Sequence, residues 1–245
     1  MKVAICISGV PRGYYNIDFI EQICKFYETK LFIFYWQNDP VKLRFQSYAG
    51  SYDQDTSFSP YIYDKLGIET WVDSGSFAAM EPEFQRKYEE IPEKYRLLKK
   101  VSLHSMSYAI MRANDMREFY EEFHGFKFDC VMRARFETRF FRKEGPYSRL
   151  HLDRYDFNKL YKPLIHVDLK YGMNDCFAMS SSKNMSHYSR IYNHLTELAQ
   201  IDGLGGELCF YHHNKIFPID STWLIDGWGF SGYGYHCDDI KSNWY

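Results

Sequence analysis

Apolar and polar positions follow two periods along this chain. Val3-Ala4-Ile5-Cys6-Ile7 is an unbroken apolar run that stops at Ser8-Gly9, and Leu31-Phe32-Ile33-Phe34-Tyr35-Trp36 is a second. Short runs that are apolar throughout and bounded by turn residues predict strands buried on both faces. Between them, residues 14–27 carry apolar positions at helical spacing and predict an amphipathic helix. Residues 68–72 predict a short third strand. Residues 80–124 predict helix, broken near Pro92, and Leu103, Met106, Ile110 and Ala113 form a stripe that core packing explains. Residues 128–132 and 175–179 predict two further strands. A helix near 182–199 follows, with Ser180, Ser181 or Ser182 as its cap. A shorter helix begins at about Glu207, beyond the joint Gly203-Leu204-Gly205-Gly206. Residues 48–60 and 142–162 read as loops. Strands alternating with helices predict the α/β class, with a Rossmann-like, mixed and largely parallel sheet flanked by helices. The chain reads as one domain over 1–245, with 226–245 an irregular aromatic tail or lid.

Composition narrows the function classes. A net charge of −2 over 245 residues gives no general attraction to polyanions, so nucleic acid is not favoured as the main partner. Aromatics make up 19% of the chain, with 22 Tyr and 20 Phe, which reads either as an aromatic core or as exposed rings that stack on sugars or bases. The six cysteines form no CxxC pair, and Cys6, Cys130 and Cys176 sit in apolar runs. That pattern predicts a reducing compartment and no disulfide framework. The apolar run before Ser8 is too short for a signal-peptide core, and no run approaches the ~20 residues of a membrane helix. The expectation is a cytoplasmic protein with no membrane span.

The chemistry gathers at the strand ends. The loop Ser8-Gly9-Val10-Pro11-Arg12 offers backbone N–H groups, a hydroxyl and a guanidinium, a set suited to phosphate. A later strand runs straight into Arg133-Ala134-Arg135-Phe136-Glu137. Arginines two apart on a strand project to one side. They either grip a diphosphate, with Glu137 on a metal or sugar hydroxyl, or form a salt-bridge cluster at a sheet edge. Asp39 lies just past the second strand and either holds a base or ribose or turns the chain before Pro40. Trp36 belongs to the core or stacks near that base. No Walker A, HExxH or GxSxG pattern is present, and Gly203-Leu204-Gly205-Gly206 lacks the strand context of a phosphate loop.

These motifs resemble a family of small GT-A-like glycosyltransferases of bacteria and their viruses. The likeness runs over roughly residues 2–215. It rests on the Ser8-Gly9-x-x-Arg12 opening, the 128–137 strand end, the later Asp175-Cys176-Phe177 strand and a Glu, here Glu207, near a late helix start. The resemblance implies a GT-A-like fold and a nucleotide-sugar donor lying across the first half of the sheet. Ser8, Gly9, Arg12, Asp39, Arg133 and Arg135 would then bind the donor. The family's acidic metal motif is replaced here by arginines, which would neutralise diphosphate as Mn²⁺ or Mg²⁺ does elsewhere. A metal on Glu137 and His236 is the alternative, against a solvated tail histidine.

A nucleotide-sugar glycosyltransferase of the inverting kind also needs a base for the acceptor hydroxyl. Glu207 is the first candidate, against ordinary favourable charge at a helix start. Asp175 is the second, against a role holding a hydroxyl. The acceptor implied is a glycan of a cell surface or virion, with the enzyme in the host cytoplasm if viral. Two other readings stand beside this one. The enzyme would act on hydroxylated bases of viral DNA if Lys99, Lys100, Arg112 and Arg117 formed a basic groove rather than a solvated helix face. A non-catalytic glycan- or nucleotide-binding protein would use the same scaffold without turnover. A nucleotidyltransferase would need paired carboxylates for metal, which the chain does not clearly place.

Overall fold

The computed structural model describes residues 1–11, 16–37, 46–47, 50–51, 59–96, 102–136, 138–142, 150–162, 176–203, 206–216, 219–224 and 228–231. The first half holds β1 (Lys2–Gly9), α1 (Ile17–Cys24), β2 (Glu28–Trp36), β3 (Gln46–Ser47), β4 (Gly50–Ser51), β5 (Thr70–Gly75), α2 (Phe77–Glu89) and α3 (Ser102–His124). The second holds β6 (Cys130–Ala134), β7 (Arg139–Arg142), β8 (Leu160–Lys162), β9 (Phe177–Ser180), α4 (Ser182–Ser189), α5 (Leu195–Asp202), α6 (Gly206–Ile216), β10 (Ser221–Trp223) and β11 (Trp228–Ser231).

Seven strands form the main sheet in the order β10-β8-β9-β6-β1-β2-β5. β5, β2, β1 and β6 are mutually parallel, β9 runs against β6 and β8, and β10 is parallel to β8. The expected α/β architecture, a mixed and largely parallel sheet flanked by helices, is what the chain adopts.

The alternation of side chains explains both layers. Val3, Ile5 and Ile7 of β1 join Ile17, Ile20 and Ile23 of α1 on one face. Ala4 and Cys6 join Ile110, Ala113 and Tyr120 of α3 on the other. A strand wedged between two helical layers must be apolar at every position, which is why β1 reads as a continuous run. Among the described residues most aromatic side chains are core. Trp36 is 1% exposed, stacks on Tyr108 at 5.8 Å and takes Phe34, Phe77 and Phe84 edge-on. It is a core residue, and its neighbours leave no face for a base.

Several boundaries differ from the sequence expectation for local reasons. The break expected near Pro92 within 80–124 is present, with a 3-10 turn at Glu93–Tyr95 between α2 and α3, but α2 begins earlier, at Phe77. The helix near 182–199 is also two, joined by a 3-10 turn at Arg190–His194. Ser181 is its cap, accepting from the Asn184 N–H at 3.4 Å. Gly203, at φ +84°, ends α5, so the glycine joint begins as a helix terminator. The polar stretch 142–162 ends in β8, and within the aromatic tail β11 pairs antiparallel with β7. Residues 232–245 lie outside the described residues. The five described cysteines are free thiols. No described helix is long and apolar enough to cross a membrane.

Candidate functional site

Strand order sets where a ligand can lie. From β1 the chain steps outward through β2 to β5, and α3 then carries it back to lay β6 on the other flank of β1. Strand order therefore reverses between β1 and β6. At such a point the loops leave the neighbouring carboxyl ends in opposite directions and open a crevice, the usual ligand position in open α/β sheets.

Ser8 and Gly9 line this point from β1. Ser8 falls on the α3 side of the sheet, 2% exposed, and its Oγ has no hydrogen-bond partner among the described residues. An unsatisfied buried hydroxyl costs about 1–3 kcal/mol, so the position favours a group that a ligand can complete. Gly9 has φ +123°, and a Cβ there would meet nothing within 4 Å. The backbone angle, not crowding, requires glycine, and the peptide lies open to a close approach.

Arg133 and Arg135 line it from β6. Arg133 stands opposite Cys6 and is 1% exposed. Ala134 and Phe136 both pack into the α1-side core, so Arg133 and Arg135 share the other side, the side of Ser8. Arg135 is half-buried, and its Nη1 donates to Cys176 Sγ at 3.4 Å. Two guanidiniums and a hydroxyl on one side of a strand end make an arrangement able to hold phosphate oxygens.

The backbone of Arg135 is locked in place by residues that sequence reasoning missed. Its N–H donates to Thr138 Oγ1 at 2.8 Å, and its carbonyl accepts from the Thr138 N–H at 3.2 Å. That carbonyl also accepts from Asn16 Nδ2 at 3.3 Å, while Asn16 Oδ1 accepts from the Tyr63 hydroxyl at 2.9 Å. Asn16 precedes α1, where an Asn reads as a helix cap. Its backbone is instead already helical and its side chain makes no cap bond. It ties the start of α1 to the exit of β6. Thr138, three residues past Arg135, is a local turn residue, whereas Asn16 is 119 residues away and only the fold brings it to Arg135.

Glu207 falls within the first turn of α6. The helix is fixed by Phe210 stacked on Tyr188 at 4.8 Å and by His213, whose Nε2 lies 2.6 Å from the His187 carbonyl. Burial pushes the His213 pKa down to about 4, the carbonyl contact opposing it and His194 and His187 adding to it. His213 is a neutral donor to that carbonyl and His212 is only partly buried, so the adjacent pair does not face one ion.

Of the remaining predicted residues, Arg12, Asp39, Glu137, Asp175 and His236 lie outside the described residues, as does the side chain of Glu207. Among the described residues no group of three His, Cys, Asp or Glu side chains is placed to hold a metal ion. The suggested basic groove is corrected. Lys99 and Lys100 lie outside the described residues. Arg112 is paired with Asp73 at 2.9 Å, and Arg117 is wholly buried against Glu121 at 2.7 Å. Charge alone suggested a solvated face for Arg117; it falls four residues past Ala113 on the buried stripe of α3, and α4 covers it through Ser182 and Ser186.

No family model matches the chain, and no curated protein matches it. Among solved structures, the chain is similar to the apo form of mouse xyloside xylosyltransferase 1, at 8% identity and a TM-score of 0.39, over 91% of this chain and 85% of that one.

Proposed function

We propose that the chain is a nucleotide-sugar-dependent glycosyltransferase of GT-A-like fold, transferring a sugar to a hydroxyl of a glycan acceptor with inversion. The observation that carries this reading is the reversal of strand order at β1/β6, with Ser8, Gly9, Arg133 and Arg135 at the two carboxyl ends. The motif resemblance, which rests in part on the same residues, agrees with it.

In this reading the donor diphosphate lies over the β1/β6 ends. Arg133 and Arg135, joined by Arg12, neutralise the charge that develops as it leaves. The Gly9 peptide and the Ser8 hydroxyl orient the phosphates. The acceptor oxygen attacks the anomeric carbon from the face opposite the diphosphate. The bond from that carbon to the phosphate oxygen breaks, and the nucleoside diphosphate leaves with its electron pair. The acceptor proton passes to the carboxylate of Glu207, with Asp175 as the second candidate. By the motif resemblance Arg133 and Arg135 stand where metal-dependent enzymes of this kind carry acids, so the charge is neutralised here by the guanidiniums.

The test is a thermal shift against a panel of nucleotide sugars, each with Mn²⁺ and with EDTA. A ligand that binds only the folded chain must raise its apparent stability. Stabilisation by one donor that survives EDTA is the expected result, and Arg135→Gln should weaken that donor roughly tenfold or more, the worth of one charge-assisted bond. Release of nucleoside diphosphate should fall in Glu207→Gln with donor affinity kept. No shift with any donor overturns the reading. Binding without turnover moves it to the non-catalytic scaffold.

A further inference from the structure

α3 runs from the carboxyl edge of the sheet to its amino edge. At its far end Glu121 accepts from the Phe128 N–H, and the Asp129 N–H donates to the Lys2 carbonyl at the start of β1. The charges of Arg117 and Glu121 act on the Cys6 thiol, midway along β1, and Tyr108 stacks on Trp36 at the end of β2. Ser107, beside Tyr108, therefore belongs to the carboxyl edge. It stands ten residues of helix, about 15 Å, above Arg117. Ser8 stands two residues of strand, about 7 Å, above Cys6. Ser107 is thus the outer of the two serines along the crevice.

Helical spacing sets which way Ser107 faces. Tyr108 and Arg112 face β2 and β5, through Trp36 and Asp73. Ser107, Asn114, Arg117 and Glu121 recur at spacings of seven, three and four on another flank. There Arg117 meets Ser182 and Ser186 of α4. Tyr188 of α4 in turn stacks on Phe210 of α6, the helix whose first turn contains Glu207. Ser107 therefore lies on the α4–α6 side of α3.

The buried polar groups lower on this flank are bonded. Asn114 donates to Glu118 and accepts from Arg117, and Glu121 accepts from Ser182. Ser107 is 0% exposed, and its Oγ has no partner among the described residues. A helical serine can bond a carbonyl one turn back, as Ser105 does with Ser102 at 3.0 Å. Ser107 does not, and in this it matches Ser8. A buried hydroxyl without a partner destabilises the fold, so two of them at one sheet edge point to a ligand that completes them.

We propose that Ser107 binds a hydroxyl of the transferred sugar and thereby helps to set which nucleotide sugar the enzyme accepts. This rests on the glycosyltransferase reading, in which the anomeric carbon lies between the diphosphate over the β1/β6 ends and the carboxylate of Glu207. A group outward of Ser8, on the α4–α6 side, then meets the sugar rather than the phosphates. The chemistry agrees: a serine hydroxyl both donates and accepts, as a sugar hydroxyl does, while the guanidiniums of the β6 end suit the phosphates. Both serine hydroxyls are enclosed, so the donor reaches them by displacing what covers them at the carboxyl edge. A site built to bond a hydroxyl rejects a sugar that lacks it, because the buried serine is then left unpaired.

The test titrates UDP-glucose, UDP-galactose, UDP-N-acetylglucosamine and GDP-mannose, with UDP and GDP beside them, onto the natural chain and onto Ser107→Ala. The nucleotide sugar that binds the natural chain best should lose roughly five- to tenfold in Ser107→Ala, the worth of one hydrogen bond. Its bare nucleoside diphosphate should keep its affinity within twofold. The same variant should melt about 2–4 °C higher, because alanine removes an unpaired buried hydroxyl. A gain in stability with a loss of sugar affinity is a result that a purely structural serine does not give. Ser105→Ala removes a hydroxyl already bonded to Ser102, so it should melt slightly lower and keep both affinities. Unchanged sugar affinity in Ser107→Ala, equal losses for the nucleotide sugar and the nucleoside diphosphate, or a lower Tm overturns the proposal and leaves the glycosyltransferase reading standing. If no nucleotide sugar binds the natural chain, that reading falls and the proposal falls with it.

Discussion

Asn16 shows how a single polar residue can govern the site without facing the ligand. It is fully buried, and it donates to the Arg135 carbonyl while accepting from Tyr63. Replacing it with leucine removes both bonds and leaves an apolar side chain against a peptide carbonyl. Asn16→Leu should cost about 2–3 kcal/mol in urea unfolding, the sum of two ordinary bonds and part of their desolvation. It should also loosen the Arg135 exit, so nucleotide affinity should fall several-fold even where the variant is fully folded. Tyr63→Phe removes only the outer bond and should lose about 1 kcal/mol, with affinity kept. Equal loss of affinity in both variants would show that the carbonyl bond is not what positions Arg135. The arginines themselves were legible from the sequence, because a guanidinium pair at a strand end is a rare pattern. Asn16 and Thr138 were not: Asn16 reaches Arg135 only through the fold, 119 residues away, and Thr138, three residues from Arg135, is of a type common in any turn.

At the scale of elements, length decided what could be read. β1 and β2 are eight and nine residues long and buried on both faces, so their runs are unmistakable. β8 and β10 have three residues each, too few for a period, and they exist because β9 and the preceding strand present open edges to them. The contact between α3 and α4 shows the same limit. Arg117 and Glu121 read as one of many helical i,i+4 charge pairs, normally worth a few tenths of a kcal/mol at a surface. Both are instead fully buried, and Glu121 also accepts from Ser182 Oγ at 2.9 Å and the Phe128 N–H at 3.0 Å. Desolvation raises the Glu121 pKa, but Arg117 and these donors outweigh it, and the carboxyl sits below its ordinary value. The carboxylate thus joins α3, α4 and the entry to β6. Glu121→Gln should destabilise the chain by about 3 kcal/mol, because it leaves buried Arg117 only the longer contact with Glu118 Oε1, at 3.3 Å, as a counter-charge. The double change Arg117→Met with Glu121→Leu should recover much of that loss in the same unfolding experiment. Additive losses would show that the two charges do not act as a pair.

For the whole molecule, buried titratable groups on the two halves set the pH range in which the fold is secure. On the acid side, His213 has its pKa lowered to about 4 from an ordinary value of 6.5. Between those values the unfolded chain binds a proton that the folded chain refuses, so stability falls as pH drops. The full difference, about 2.5 units, corresponds to a loss on the order of 3 kcal/mol. That loss begins near pH 6.5, before carboxylates such as Glu121 start to protonate. On the alkaline side, Cys6 lies under α3 with its thiol pushed up to about 12 from 9.0, chiefly by burial. Above pH 9 the unfolded chain releases a proton that the folded chain keeps, so stability falls again. Unfolding free energy should therefore form a plateau between about pH 6.5 and 9, with a shoulder on each side. His213→Gln keeps a donor for the His187 carbonyl but cannot titrate, so it should remove the upper part of the acid limb and leave the alkaline limb in place. An unchanged acid limb would assign that limb to other groups. Because His213 holds the helix that presents Glu207, the natural chain should also lose activity on the acid side at the pH where this helix loosens. The His213→Gln chain should keep activity to lower pH.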